Sequence, residues 1–246
     1  MLPINSKEGS AARLLFLPGL MCDSRIFAAQ TGRFPGSVAV HGYGLLRTIT
    51  DMARRALETV SGRLSLVGHS MGARVAIEAF RLAPERIERI ALLSTGIHPP
   101  RPGEAEARHA LRDVGRAQGV EALVDQWLPP MLAPGRRQDE AVMAPLRTMC
   151  REVGVEVFAA QVEALLDRPL VEPVLPQITC PTLIAVGSED RWSPPAQHEE
   201  IAAALPHAQL RVIAGAGHML PAEAPEQLNA TIAEWLSWPT HAQGVS

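Results

Sequence analysis

The chain has 246 residues, 47% hydrophobic and 20% charged, a make-up that suits a globular domain with a substantial core. A formal charge of −3 excludes a broadly basic nucleic-acid surface, and no Lys/Arg run marks a membrane-surface patch. The three scattered cysteines, Cys22, Cys150 and Cys180, fit neither a disulfide framework nor a zinc site, and no apolar stretch nears the ~20 residues of a bilayer span.

Residues 1–12 are polar, lack the apolar core of a signal peptide and read as a loose lead-in, so a cytoplasmic protein with reduced thiols is expected. Leu14–Leu17 is a short apolar strand that stops at Pro18-Gly19; a loop follows, and Asp23 or Ser24 caps a short helix to about Thr31. Val38–His41 is a second brief strand, and Ile49–Val60 is helical with Thr50 as N-cap. Leu64–Val67 reads as a buried strand. Val75, Ala76, Ala79, Phe80 and Ala83 then recur at helical spacing until Pro84, and Ile87–Ser94 is the next strand.

Pro99, Pro100, Pro102 and Gly103 mark a boundary, after which Glu104 to about Leu175 is helical and contains no strand. Strand and helix then alternate again: Thr182–Val186, Pro195–Leu205, Gln209–Ile213 and Pro225–Trp235. The alternation predicts an α/β fold with a mostly parallel central sheet and helices on both faces. Residues 1–98 and 176–246 supply this core, and 99–175 form a helical cap over the C-terminal sheet edge, where ligands bind in open α/β sheets.

Between the strand at 64–67 and its helix stands Gly68-His69-Ser70-Met71-Gly72. Strand, sharp turn and helix are the setting of a nucleophile elbow, in which small neighbours let strand and helix nearly touch and Ser70 projects above the sheet. A serine hydroxyl needs a base held by a third group. His218, on a glycine-flanked loop after a late strand, is the candidate base, with His41 as the alternative; His69 should point away from Ser70, and His198 and His207 border a surface helix. Asp190, on the loop after the preceding strand, is the candidate acid, with Glu189 its rival. The order Ser70, Asp190, His218 is the one this fold requires. The backbone N–H of Met71 is one oxyanion donor, and Leu20, or else Met21, is the other.

With these pieces in hand, the chain resembles the α/β-hydrolase superfamily, in its branch of small capped serine esterases. The resemblance rests on Leu17-Pro18-Gly19-Leu20, the elbow pentapeptide, Pro181-Thr182-Leu183-Ile184 with Gly187 and Asp190, and Gly217-His218. It implies acyl transfer to water, with no metal or organic cofactor, on a small or medium carboxylic ester. A lactone, a thioester or a carbon–carbon bond is the alternative target, and a non-catalytic ligand-binding scaffold is the alternative of another class. Met21, Trp127, Met131, Phe158, Trp192 and Met219 are candidate substrate contacts. Arg108, Arg112 and Arg116 share one helix face and could meet a substrate carboxylate, or else form a solvated face. A small-molecule partner is expected, with no nucleic acid or membrane, for a monomer or homodimer.

Overall fold

The computed structural model describes residues 12–205 and 207–240; the lead-in expected for residues 1–12 lies, apart from Ala12, outside them. Strand β1 (Arg13–Leu17) is followed by a one-turn 3-10 segment, Ser24–Phe27, and helix α1 (Ala28–Arg33). Asp23 is the cap here, its carboxylate accepting the Arg25 N–H. Strand β2 is only Val38–Ala39, shorter than expected, so His41 falls outside it. Helix α2 (Ile49–Thr59) is capped by Thr48 rather than Thr50: extended Thr48 accepts the Asp51 N–H at 3.0 Å. The Thr50 hydroxyl instead donates to Glu78 at 2.6 Å, tying α2 to the helix it packs on.

Strand β3 (Leu64–His69), helix α3 (Met71–Leu82) and strand β4 (Ile87–Leu93) follow as the sequence predicts, and every residue of β3 is buried. Between β4 and the next strand lie α4 (Glu104–Gln118), α5 (Val120–Trp127), α6 (Glu140–Val153) and α7 (Val155–Leu166). Strand β5 (Thr182–Gly187), α8 (Pro195–Ala204), β6 (Ala208–Ile213), a one-turn α9 (Leu220–Glu223) and α10 (Pro225–Leu236) complete the described chain. The hydrophobic pattern did not predict α9.

The sheet is parallel throughout, in the order β2-β1-β3-β4-β5-β6. The chain reverses direction across the sheet at β1 and β3, which opens a crevice at their C-terminal ends. Right-handed crossovers put α1 on one face and α2, α3 and α8 on the other. Helix α10 packs beside α1, and α2 on α3. The core is continuous, from Leu15, Phe16 and Leu17 on β1 to Trp235 on α10, all with no exposed surface. No helix among the described residues is long and apolar enough to cross a membrane.

Candidate active site

Ser70 stands between β3 and α3 with φ 54° and ψ −114°, a backbone region that costs free energy for any residue with a Cβ. Its surroundings hold it there. The Ser70 N–H donates to Leu93 O at 2.8 Å, and the Thr95 hydroxyl donates to Ser70 O at 3.1 Å. The turn also needs bare backbone on both sides. A Cβ on Gly68 would lie 2.3 Å from Gly72 O, and one on Gly72 would lie 2.1 Å from Leu17 O.

The loops after β5 and β6 bring Asp190 and His218 to the same point. His218 Nδ1–H donates to Asp190 Oδ2 at 2.9 Å, which leaves Nε2 to accept from the Ser70 hydroxyl, also at 2.9 Å. The other Asp190 oxygen accepts the N–H groups of Trp192 and Ser193 at 3.0 and 2.8 Å. Burial raises the Asp190 carboxyl, but His218 and these hydrogen bonds outweigh it and hold the group below its ordinary range. Glu189 is exposed. The arrangement gives a hydroxyl a route to lose its proton to an imidazole that a carboxylate orients.

The His218 loop is itself clamped. His69 does point away from Ser70: its Nε2–H donates to His218 O at 2.7 Å, and burial lowers its pKa to about 3. The His218 N–H donates to Met131 O at 2.8 Å. Buried Glu223 on α9 accepts N–H groups from Ala133, Gly217 and Met219 at 2.8, 3.1 and 3.0 Å. Neither Glu223 nor its helix carries a motif. His198 lies on the helix expected at the surface, but its own side chain is fully buried. Its Nδ1–H donates to Pro194 O at 3.2 Å and its Nε2 accepts the Thr95 N–H at 2.9 Å, so it braces the residue that holds Ser70.

Met71 is the first residue of α3, so its N–H belongs to the first turn that a helix leaves without an internal acceptor. Leu20 N–H donates to no acceptor among the described residues, and both residues line the cavity above Ser70. Met21 N–H is already taken by Gln161 Oε1 at 2.8 Å, which leaves Leu20 as the free donor of the pair. Gln161 comes from α7, so the helical insertion reaches the loop after β1.

A cavity of about 510 Å³ opens over Ser70 and His218. Trp127, Met131, Phe158 and Trp192 line it, as the sequence reading expects, with Trp127 and Phe158 edge to face at 6.4 Å. Met21 and Met219 are corrections: both side chains belong to the core and neither is on the cavity wall. Met21, at a left-handed φ of 59°, is fully buried, and Met219 is fixed where its N–H meets Glu223. The arginine face divides. Arg108 lines the cavity, while Arg112 pairs with Asp113 and Glu163 and Arg116 with Glu156 on the outside. The cavity also holds Arg74 and Arg168, which the helical periodicity did not single out. No cluster of three or more His, Cys, Asp or Glu side chains able to hold a metal occurs among the described residues.

A strained serine at a parallel-sheet switch point, facing a histidine and a buried aspartate, defines the α/β-hydrolase class. Residues 14–231 match the family model described as the alpha/beta hydrolase family, and the chain belongs to that family. A thermophilic esterase from Thermogutta terrifontis is 28% identical, with a TM-score of 0.80 over 93% of this chain and 90% of that one. An enol-lactonase from Burkholderia xenovorans superimposes with a TM-score of 0.82 at 24% identity, covering 94% of each chain. An Acinetobacter baylyi (E)-2-((N-methylformamido)methylene)succinate hydrolase is 24% identical over 81% of this chain and 75% of its own.

Proposed function

We propose that this hydrolase cleaves a carboxylic ester of small or medium size through an acyl-enzyme on Ser70. His218 takes the Ser70 proton as the hydroxyl attacks the carbonyl, then returns it to the departing alcohol. Asp190 keeps the imidazole in the tautomer that can accept and stabilises the imidazolium. The N–H groups of Leu20 and Met71 receive the developing oxyanion, helped by the N-terminus of α3. Water, activated by His218, then attacks the acyl-enzyme and releases the acid. The observation that carries the reading is the relay of Ser70 Oγ, His218 Nε2 and Nδ1, and Asp190 Oδ2, with both separations 2.9 Å, on the wall of the cavity.

The insertion at 99–175 acts as a cap in this reading. Its Trp127, Met131 and Phe158 supply an apolar wall for the substrate, and Gln161 braces the oxyanion loop. Lactones, thioesters and carbon–carbon bonds of diketones react by the same carbonyl attack and complete the panel of substrates to test. Three free, buried cysteines support a reducing compartment such as the cytoplasm.

The test is hydrolysis of short p-nitrophenyl esters by the native chain and by Ser70→Ala. The variant should fold and lose about 10³-fold or more of kcat/KM. A folded variant that keeps more than about a tenth of the native rate overturns the assignment. A native chain inert toward the whole substrate panel supports the scaffold alternative.

A further inference from the structure

Five arginines line the cavity above Ser70 (Arg74, Arg101, Arg108, Arg168 and Arg191) against one carboxylate, Glu104. The hydrogen bonds show how far that carboxylate goes. Arg168 takes it as a fork, at 2.7 Å to Oε1 and 2.8 Å to Oε2, and Arg108 Nε donates to Oε1 at 2.9 Å. Arg74 bonds no carboxylate among the described residues: its Nη2 donates to the carbonyl of His98 at 2.8 Å, which also accepts from Arg168 Nε at 3.2 Å. By hydrogen bonds, three guanidinium groups therefore have one carboxylate among them, with Glu172 acting on Arg74 only through space.

All three are withdrawn from water. Arg74 and Arg168 are each 6% exposed, and the Arg108 side chain is 13% exposed. Buried cations short of counter-charge are costly unless an anion arrives. Burial, followed by Arg168, lowers Arg74 to about 9, the mark of a charge its surroundings do not balance. The nearby Glu172 is exposed and makes no hydrogen bond to Arg74 among the described residues.

Position links this charge to the chemistry. Arg74 lies in the first turn of α3, four residues beyond Ser70, and both line one cavity. Trp192 lies between Arg108 and the histidine, its ring 5.9 Å from the Arg108 guanidinium and 6.5 Å from the His218 ring. The cavity thus has an apolar part around Trp127 and Phe158 and a cationic part around Arg74, with Ser70 open to both.

We infer that Arg74 and Arg108, backed by the charge of Arg168, whose own donors are taken by Glu104, His98 and Leu165, form an anion subsite that binds a carboxylate carried by the substrate, several bonds from the carbonyl that Ser70 attacks. The inference rests on the hydrolase reading and names its substrate class: half-esters or lactones of dicarboxylic acids. Guanidinium forks suit a planar carboxylate, and Arg74 has donors left for one.

The experiment compares monoethyl succinate, glutarate and adipate with their diethyl esters, in which the carboxylate is masked. For at least one chain length, kcat/KM of the half-ester should exceed that of the diester by about 30-fold or more, and Arg74→Met should cut this ratio by about 10- to 100-fold. A ratio near one in the native enzyme, or a ratio that Arg74→Met leaves unchanged, overturns the subsite while the hydrolase reading stands. If Arg74→Met does not fold, Arg108→Gln takes its place in the same comparison. A second readout is independent of turnover. Calorimetric titration of the Ser70→Ala chain with glutarate and adipate should show binding that Arg108→Gln weakens about tenfold or more, and absence of binding overturns the inference. A native chain that hydrolyses neither ester yet binds the dicarboxylates upholds the subsite and overturns the simple-ester reading alone.

Discussion

The backbone N–H of His218 donates to the carbonyl oxygen of Met131 at 2.8 Å, so the candidate base hangs directly from the helical insertion. Glu223 reinforces the junction, since its carboxylate collects N–H groups from both sides, Ala133 on the insertion and Gly217 and Met219 on the loop. An ionised carboxylate is acceptor-only, which suits three N–H donors. Glu223→Gln turns one acceptor into a donor that opposes them. The expected cost is about 2–4 kcal/mol of stability and about tenfold or more in kcat, read by thermal unfolding and by ester hydrolysis. A variant with native kcat would show that His218 is placed without this clamp.

His198 and His69 are buried and neutral, with pKa values lowered by burial to about 4 and about 3. In the unfolded chain both bind a proton near pH 6.5. Between that pH and their folded values the unfolded state binds more protons, so stability is full above about pH 6.5 and falls as the solution is acidified toward pH 4. Thermal midpoints measured across that window should drop on acidification. His198→Gln should unfold more easily at neutral pH and show a shallower slope. A slope equal to the native one would remove His198 from the account.

Asp190 and Glu189 are neighbours in sequence, but only Asp190 is buried against His218. Asp190→Asn keeps the shape and presents an amide where Nδ1–H needs an acceptor. It should lower kcat/KM by about 10³- to 10⁴-fold, while Glu189→Gln should change it by less than about threefold. A larger loss from Glu189→Gln would reverse the assignment of the acid.

What could be read in the sequence was local. Gly68, Ser70 and Gly72 are dictated by one turn and its immediate neighbours, so the elbow stood out, and the strand–helix alternation fixed the parallel sheet. Loop position and chain order pointed to Asp190 and His218. The residues that hold these in place were not legible, because their roles arise from long-range approach. Glu223 meets Ala133 across 90 residues, Gln161 meets Met21 across 140, and His198 meets Thr95 across 103. The arginines show the same limit. Helical periodicity grouped Arg108 with Arg112 and Arg116, but the fold groups it with Arg74 and Arg168, which lie on α3 and after α7. Thr48 and Thr50 were separable only by backbone conformation, which favours the extended residue as cap.

The central claim is that Ser70 becomes acylated, and the most direct measurement is covalent trapping with a fluorophosphonate followed by peptide mapping in a mass spectrometer. The native chain should gain one phosphonyl group on the peptide that contains Ser70. Labelling should be lost in Ser70→Ala and slowed by about 10³-fold or more in His218→Ala, because the hydroxyl is then without its base. A native chain that stays unlabelled, or that carries the label on another residue, would contradict the account.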